Sequence, residues 1–305
     1  MSDSNYVDLA PIVLFIFNRP WHTTQTIEAL QKNKLFGESH LFVFSDGPKI
    51  ASDEPKVQEV RDYIKTIDGF KSLSIIERNR NVGLAESIIV GVTEIVNQYG
   101  KIIVLEDDLI SSRNFLKFMN QALTTYEDKK EVFSITGYNF LTNVPNGYRD
   151  RVFLSYRPSS WGWGTWADRW NKSDWEVKDF DTFMKNKSDQ VRFNRGGDDL
   201  TSMLAKQMKG EIDSWGIRWC YTHFKHGAYC LVPVTSKIKN IGFDNSGTHC
   251  ASSEKYDVPI DDGTVEIELP RDLQVNEDIV NAVANFHPKT FLQRIKVAIG
   301  KYISG

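Results

Sequence analysis

The most informative segment of this 305-residue chain reads Lys101-Ile102-Ile103-Val104-Leu105-Glu106-Asp107-Asp108-Leu109-Ile110. Its apolar part, Ile102 to Leu105, is short, uninterrupted and mostly β-branched, which is typical of a strand buried on both faces of a parallel sheet. Three consecutive carboxylates follow where that strand ends. Because ligands of open α/β sheets bind at the carboxyl ends of strands, the segment predicts a ligand site as well as a strand.

The acid triplet Glu106, Asp107 and Asp108 predicts a metal site. Adjacent negative charges repel one another beside a buried strand, and a positive charge relieves that repulsion. A Mg²⁺ or Mn²⁺ ion shared between a carboxylate and a substrate diphosphate would supply it. The alternative is a solvated acidic loop before a helix over residues 114–122, with Ser111 or Ser112 as the N-cap.

Charge, cysteine content and apolar runs argue against several classes of protein. A formal charge of −3 and a pI near 6.1 argue against a general nucleic-acid binder. The three cysteines, Cys220, Cys230 and Cys250, lack metal-type spacing and fit a reducing compartment. No signal-peptide pattern and no apolar run of membrane-spanning length occur in the sequence. We therefore expect a cytoplasmic protein.

The residues before the acids predict alternating strands and helices. Apolar runs at 11–17, 41–44 and 73–76 read as strands, and helical spacing marks 56–67 and 84–99, with Gly100 as a stop. A further helix is expected over 26–32, capped by Thr23 or Thr24. This regular βα order predicts a parallel, doubly wound sheet with helices on its flanks. The sequence has no GxGxxG after the first strand and no P-loop pattern.

Two other predicted strand ends carry polar residues, Arg19 and Asp46, which we expect to meet the acids in one cleft. Arg19 can pair with a phosphate, and Asp46 can accept hydrogen bonds from a base or a ribose. The alternatives are ordinary turn chemistry: a salt bridge from Arg19 to a nearby acid, and an Asx turn of Asp46 before Gly47.

The second half of the chain is rich in tryptophan. Strands are predicted at 133–138 and 153–157, and glycines then separate Trp161, Trp163 and Trp166. Flat aromatic faces can stack against sugar rings, and packed core tryptophans are the alternative.

Two further acidic positions are candidates for a general base. Asp213 stands near Trp215, and apolar rings beside a carboxylate raise its pKa, which suits a base. Asp198 and Asp199 instead begin a predicted helix that runs to Lys209.

Two segments near the C-terminus are candidates for contact with a ligand or a membrane. The glycine-punctuated loop 241–249 is a candidate flap that ends in His249, a candidate metal or phosphate contact whose alternative is a surface histidine. Residues 286–305 form a predicted basic amphipathic helix, able to contact an anionic membrane or to dock on the protein's own core.

The order of these motifs over residues 10–250 resembles that of GT-A glycosyltransferases, and most closely the N-acetylglucosaminyltransferase I family. The opening Leu14-Phe15-Ile16-Phe17-Asn18-Arg19-Pro20 also looks like transferases of bacterial surface-polysaccharide assembly. The resemblance implies a GT-A domain over 1–285, with a nucleotide-sugar half at 10–130 and an acceptor-side α+β half at 131–285. It implies metal-dependent, inverting transfer from a nucleotide-diphosphate sugar, such as a UDP-N-acetylhexosamine, to a glycan or lipid-linked oligosaccharide.

The resemblance also assigns roles by position. It places Arg19 on the nucleotide diphosphate or base, Asp46 on the base, Asp107 on the ribose, Glu106 on the donor sugar and Asp108 on Mn²⁺ or Mg²⁺. His249 is a further metal candidate because of its place in the loop, apart from the resemblance. Trp161 and Trp163 would line the donor sugar and Trp215 the acceptor. Asp213 matches the first residue of the family's Asp-Asp-Trp and would be the base, but Ser214 replaces the second residue, so Asp199 remains the alternative.

Three other classes of protein are alternatives to a glycosyltransferase. A sugar nucleotidyltransferase should open with a Gly-rich loop carrying Arg and Lys, which Phe17-Asn18-Arg19-Pro20 lacks. A non-catalytic carbohydrate-binding or polysaccharide-assembly protein would use the tryptophans without needing the acid triplet. A two-metal phosphodiesterase would need more ligands, usually including histidine.

Overall fold

The computed structural model describes residues 9–244, 254–264 and 268–287. The strands are β1 Ile12–Ile16, β2 His40–Ser45, β3 Ser72–Glu77, β4 Lys101–Glu106, β5 Leu109–Ser111, β6 Val132–Thr136, β7 Val152–Ser155, β8 Trp163–Trp166, β9 Tyr229–Pro233 and β10 Ile238–Asn240. The helices are α1 Pro20–Gln31, α2 Glu54–Ile64, α3 Leu84–Tyr99, α4 Phe115–Thr125, α5 Ala167–Trp170, α6 Phe180–Lys185, α7 Lys187–Phe193, α8 Leu200–Met208, α9 Trp215–Lys225 and α10 Glu277–Phe286.

Eight of these strands form one sheet in the order β3-β2-β1-β4-β8-β6-β9-β7. The first four are mutually parallel and β6 is parallel to β9, whereas β8 and β7 run antiparallel to their neighbours. β10 and β5 pair separately as a short antiparallel ribbon. The predicted fold class, an α/β, mostly parallel sheet flanked by helices, is confirmed, and both halves of the chain contribute strands to the same sheet.

The central strands are buried on both faces, as the apolar runs predict. In β1 the side chains of Ile12, Leu14 and Ile16 belong to one core cluster, and those of Val13 and Phe15 belong to the other. Helices α1, α2 and α4 cover the first face, and α3 and α9 cover the second. Because β1, β2 and β4 are parallel neighbours, their carboxyl ends lie at one edge of the sheet.

The predicted boundaries of α3 are confirmed, and the predicted start of α1 is wrong. Gly100 ends α3 with a φ of 78°, and its N–H donates to the carbonyl of Val96 at 2.7 Å. Helix α1 begins at Pro20, six residues before the predicted start, because proline has the φ that the first helical position requires. Thr23 and Thr24 donate back to main-chain carbonyls at 3.0 Å instead of capping. Arg19 therefore occupies the junction between β1 and α1.

The buried side chain of Arg169 is expected to stabilise the folded protein. It is 1% exposed, donates to the carbonyl of Glu127 at 2.5 Å just beyond α4, and lies 4.2 Å over the ring of Trp166. Arg169→Met should lower the free energy of unfolding by about 1–3 kcal/mol, because the main-chain carbonyl oxygens that this buried guanidinium binds lose their donor. Urea unfolding measures the change.

The matched control is Arg192→Met, which removes an arginine from an exposed ion pair with Asp189 at 3.0 Å. Such surface pairs contribute about 0–1 kcal/mol. Equal losses in the two variants would show that Arg169 does not support the end of α4.

Within the described ranges, no helix has the length and apolarity needed to cross a membrane. The predicted basic helix at 286–305 lies outside the described residues, except for Phe286 and His287.

Candidate active site

The acid triplet lies where β4 ends, and Arg19 reaches it from the end of β1. The guanidinium donates through Nη2 to Oδ2 of Asp108 at 2.7 Å and also to Oδ1 of Asp107. Asp107 and Asp108 are 5% and 8% exposed. The structure therefore contradicts the solvated acidic loop. Of the two partners predicted for Arg19, a phosphate or a nearby acid, the structure shows the salt bridge to the acids.

The charges of this cluster do not cancel. Burial and then the charges of Asp108 and Asp107 raise the pKa of Glu106 to about 8, and Arg19 opposes the rise only partly. Burial likewise raises the pKa of Asp107 against the effect of Arg19. For Arg19 burial acts downward, but the two neighbouring aspartates leave its pKa above the usual value. One guanidinium faces three carboxyl groups, so the site favours a further cation.

Asp46 lies at the end of β2 and holds the loop that precedes α3. Its carboxylate accepts hydrogen bonds from the amides of Gly47 at 3.0 Å, Val82 at 3.1 Å and Gly83 at 3.1 Å. Asn81 adds a bond from Nδ2 to the carbonyl of Gly47 at 3.1 Å. The carboxylate bonds are not those of the Asx turn expected as the alternative, which needs an amide N–H at position 48, where the chain has Pro48. The contact of Asp46 with a base stays a prediction.

Gly47, which follows β2, packs closely against the main chain of this loop. A Cβ at this position would lie 2.6 Å from the main-chain carbon of Arg80. Gly47→Ala should therefore displace the 80–83 segment and cost about 1–3 kcal/mol of unfolding free energy. Hydrogen exchange should become faster at the amides of Val82 and Gly83.

Gly37→Ala is the control, since its Cβ would make an ordinary contact of 3.4 Å with the carbonyl oxygen of Gly69. Unchanged exchange at Val82 and Gly83 in Gly47→Ala would contradict the proposed tight packing.

Asp213 precedes α9 and is positioned beside the loop that Asp46 holds. A Cβ on Gly83 would lie 3.9 Å from its Oδ2. Its side chain is 68% exposed, and Nη2 of Arg218 lies 3.7 Å from its Oδ1. Sequence reasoning missed Arg218; the available signal was a basic residue within an otherwise apolar, tryptophan-rich stretch. The carboxylate faces solvent, so the apolar surroundings expected from Trp215 are not what the structure shows.

The predicted sugar contacts of Trp163 and Trp215 are wrong. Trp163 is 1% exposed and Trp215 is 5% exposed, and their rings stack on each other with centroids 5.0 Å apart. Both belong to the core between the sheet and α9, together with Trp170 and Trp219. Their faces are covered by other side chains, so a sugar ring cannot stack on them.

Trp161 remains a candidate because it lies on the side of the acids. Its ring is half-buried and packs edge-on against Phe243 and Tyr256, each at a centroid distance of 5.6 Å. Phe243 directly follows Gly242, which packs on Asp108.

Asp199, the alternative base, is held in a bidentate ion pair. Its two carboxylate oxygens accept from Nη1 and Nη2 of Arg157 at 2.7 and 3.1 Å. The carboxylate therefore serves to anchor Arg157.

The described part of the predicted flap covers the acids. The amide of Ile241 donates to the carbonyl of Asp108 at 2.9 Å, and Nε2 of His22 lies 3.1 Å from Oδ2 of Asp244. Between these contacts, a Cβ on Gly242 would overlap Oδ2 of Asp108 and would lie 3.0 Å from Nη1 of Arg19. Only glycine fits here. His249 lies outside the described residues. Among those described, no three His, Cys, Asp or Glu side chains converge as a preformed metal site.

Comparison with protein-family models finds no match, and comparison with curated proteins finds none either. Among solved structures, the chain is similar to mannosyltransferase PcManGT from Pyrobaculum calidifontis in complex with GDP-Man and Mn²⁺, at 12% identity over 53% of this chain and 48% of that one, with a TM-score of 0.37. It is similar to TarS 1–349 from S. aureus at 11% identity over 75% and 59% of the two chains, with a TM-score of 0.40.

A UDP-glucose pyrophosphorylase complexed with UDP-glucose also matches, at 10% identity over 81% of this chain and 96% of that one, with a TM-score of 0.37. The chain spans about half of the mannosyltransferase and three-fifths of the TarS fragment. Similarities at this level identify neither a family nor a substrate.

Proposed function

We propose that this protein is a GT-A-type glycosyltransferase that moves a sugar from a nucleoside-diphosphate donor to an acceptor hydroxyl, depends on a divalent metal and inverts the anomeric configuration. One observation carries the proposal: the acids Glu106, Asp107 and Asp108 are placed against Arg19 at the carboxyl edge of a buried parallel sheet. α/β sheets bind ligands at this edge. A divalent cation would match the carboxylates, and a diphosphate would match Arg19.

The residues present fit a Mn²⁺ or Mg²⁺ ion. The donors are carboxylate oxygens, which these hard cations prefer, and Arg19 is the cation that pairs with Asp107 and Asp108 in the described residues. Asp108 would hold the ion together with phosphate oxygens of the donor, and His249 is a further candidate ligand. When bound, the metal stabilises the charge that develops on the leaving diphosphate.

The remaining residues of the first half would bind the donor. Arg19 would contact the diphosphate, Asp107 the ribose and Glu106 the donor sugar, while Asp46 would present the 81–83 loop to the base. Residues 10–130 thus form the proposed nucleotide-sugar half, with UDP as the proposed nucleotide and N-acetylhexosamine as the proposed sugar.

Asp213 is the proposed general base. The acceptor oxygen bonds to the anomeric carbon while that carbon's bond to the diphosphate oxygen breaks, and Asp213 takes the hydroxyl proton. Its exposure lets an acceptor approach, and its position beside Gly83 puts it next to the donor half. Trp161 and the neighbouring Phe243 would orient the sugars. Residues 131–285 form the proposed acceptor half, for a glycan or a lipid-linked oligosaccharide, and the basic tail would favour acceptors at a membrane surface.

The competing classes explain less of this site. A nucleotidyltransferase needs a loop that cradles a triphosphate, but β1 passes through Phe17 to Arg19 directly into α1. A carbohydrate-binding module has no use for three carboxyl groups gathered in a buried cluster, whose repulsion opposes folding.

A thermal-shift panel tests the proposal, using UDP, GDP, CMP and dTDP, each with and without Mn²⁺. A ligand that binds only the folded state raises the melting temperature by mass action. We expect one nucleotide to raise it in a Mn²⁺-dependent manner, which names the donor class. A folded protein that responds to none of the four would overturn the proposal in favour of a binding module.

A further inference from the structure

We propose that Arg19 is an internal stand-in for the positive charge of the metal: its guanidinium bridges Asp107 and Asp108, and it would turn to the diphosphate when donor and metal bind. This inference rests on the proposed function and deepens it, because it makes the binding of metal and nucleotide interdependent.

The contacts of Arg19 carry the inference. A single nitrogen, Nη2, bonds both to Oδ1 of Asp107 and to Oδ2 of Asp108. The other ion-paired arginines in the described part of the chain each pair with one acidic side chain, as Arg195 does with Glu277. Arg19 thus supplies positive charge to two carboxylates at once.

The outer oxygen of Asp108 is also enclosed. Arg19 contacts Oδ2 of Asp108 on one side, and the main chain at Gly242 packs against the same atom. A metal ion held by Asp108 would meet the guanidinium at the same carboxylate, where the two positive charges repel each other and compete for its oxygens. Metal alone should therefore bind weakly.

A diphosphate changes this balance because it offers Arg19 another partner. Guanidinium groups bind phosphate oxygens in a bidentate manner, through bonds at least as favourable as those to carboxylate. Once Arg19 has moved, Asp108 would be available to hold the metal and Asp107 to bind the ribose. By linkage, the factor by which the nucleotide tightens metal binding equals the factor by which the metal tightens nucleotide binding, commonly about 5–150-fold.

Titration of the 305-residue chain with Mn²⁺ in the absence of nucleotide tests this, with free Mn²⁺ followed by electron paramagnetic resonance. Arg19→Gln should bind bare Mn²⁺ about tenfold or more tightly than the wild-type protein, since its competitor is gone. Arg195→Gln is the matched control, because it also removes one charge from a carboxylate pair, and it should leave the Mn²⁺ affinity unchanged.

Two further measurements keep the test decisive. Mn²⁺ should raise the melting temperature of Arg19→Gln more than that of the wild-type protein, since it relieves repulsion between the acids that have lost the Arg19 guanidinium. If Arg19→Gln does not fold, Arg19→Lys carries the test, because an ammonium bridges two carboxylates less well than a guanidinium and should also tighten bare Mn²⁺ binding.

Equal or weaker Mn²⁺ binding by the folded Arg19 variants overturns the inference. That failure is distinct from failure of the proposed function. If the wild-type protein responds to a nucleotide only with Mn²⁺ but Arg19→Gln gains no affinity for bare Mn²⁺, the glycosyltransferase proposal stands and only the stand-in role falls. If the wild-type protein responds to no nucleotide, the proposed function falls first.

Discussion

Asp108→Ala should reduce Mn²⁺-dependent sugar transfer by about 10³-fold or more and should abolish the Mn²⁺-dependent part of the nucleotide thermal shift. The physical reason is the loss of charge stabilisation on the leaving diphosphate, which a bound metal supplies at several kcal/mol. Transfer from the donor that the nucleotide panel selects, measured with increasing Mn²⁺, gives the effect on rate. Mn²⁺ at high concentration should not restore it.

The fold should survive this change, which makes the result interpretable. Arg19 keeps its bond to Asp107 in the variant, so no buried charge loses its partner. The amide of Ile241 donates to the main-chain carbonyl of residue 108, which alanine retains. Asp272→Ala, which removes a largely exposed carboxylate, is the control and should transfer sugar normally. Normal transfer by Asp108→Ala at low Mn²⁺ would rule out Asp108 as the metal ligand.

The first half of the fold was predictable because its signals are local. Alternating cores on the two faces of β1 produce an uninterrupted apolar run, and Gly100 ends α3 through a backbone conformation that glycine favours. Parallel neighbours bring their carboxyl ends to one edge, so the meeting of Arg19 with Asp107 and Asp108 also followed from topology alone.

The surroundings of the tryptophans could not be predicted from the local sequence. Whether Trp163 faces the core or the cleft depends on β8 running antiparallel between β4 and β6, a long-range pairing that the sequence does not encode locally. The same holds for Asp213, whose surroundings come from Gly83 and Arg218 rather than from the adjacent Trp215. Residue type and spacing identified the candidates, but the direction of each side chain was set by tertiary pairing.

Asp213→Asn should lower the rate of transfer by about 10²–10⁴-fold, which is the usual contribution of a positioned general base. Asparagine keeps the size of the side chain but cannot take a proton. Because Asp213 contacts neither Arg19 nor the acid triplet in the described structure, the Mn²⁺-dependent nucleotide shift should remain that of the wild-type protein. The comparison of turnover with nucleotide binding therefore separates the chemical step from donor binding.

Asp199→Asn discriminates between the two candidate bases. Both of its oxygens are bound by Arg157, so a proton arriving there would have to break an existing bidentate pair. We expect this variant to melt at a lower temperature, because Arg157 loses its charged partner, yet to transfer sugar at a rate close to wild type. The opposite pattern, with near-normal turnover in Asp213→Asn and none in a folded Asp199→Asn, would move the base to Asp199. An acceptor hydroxyl would then have to enter beside Arg157, on the α8 side of the cleft.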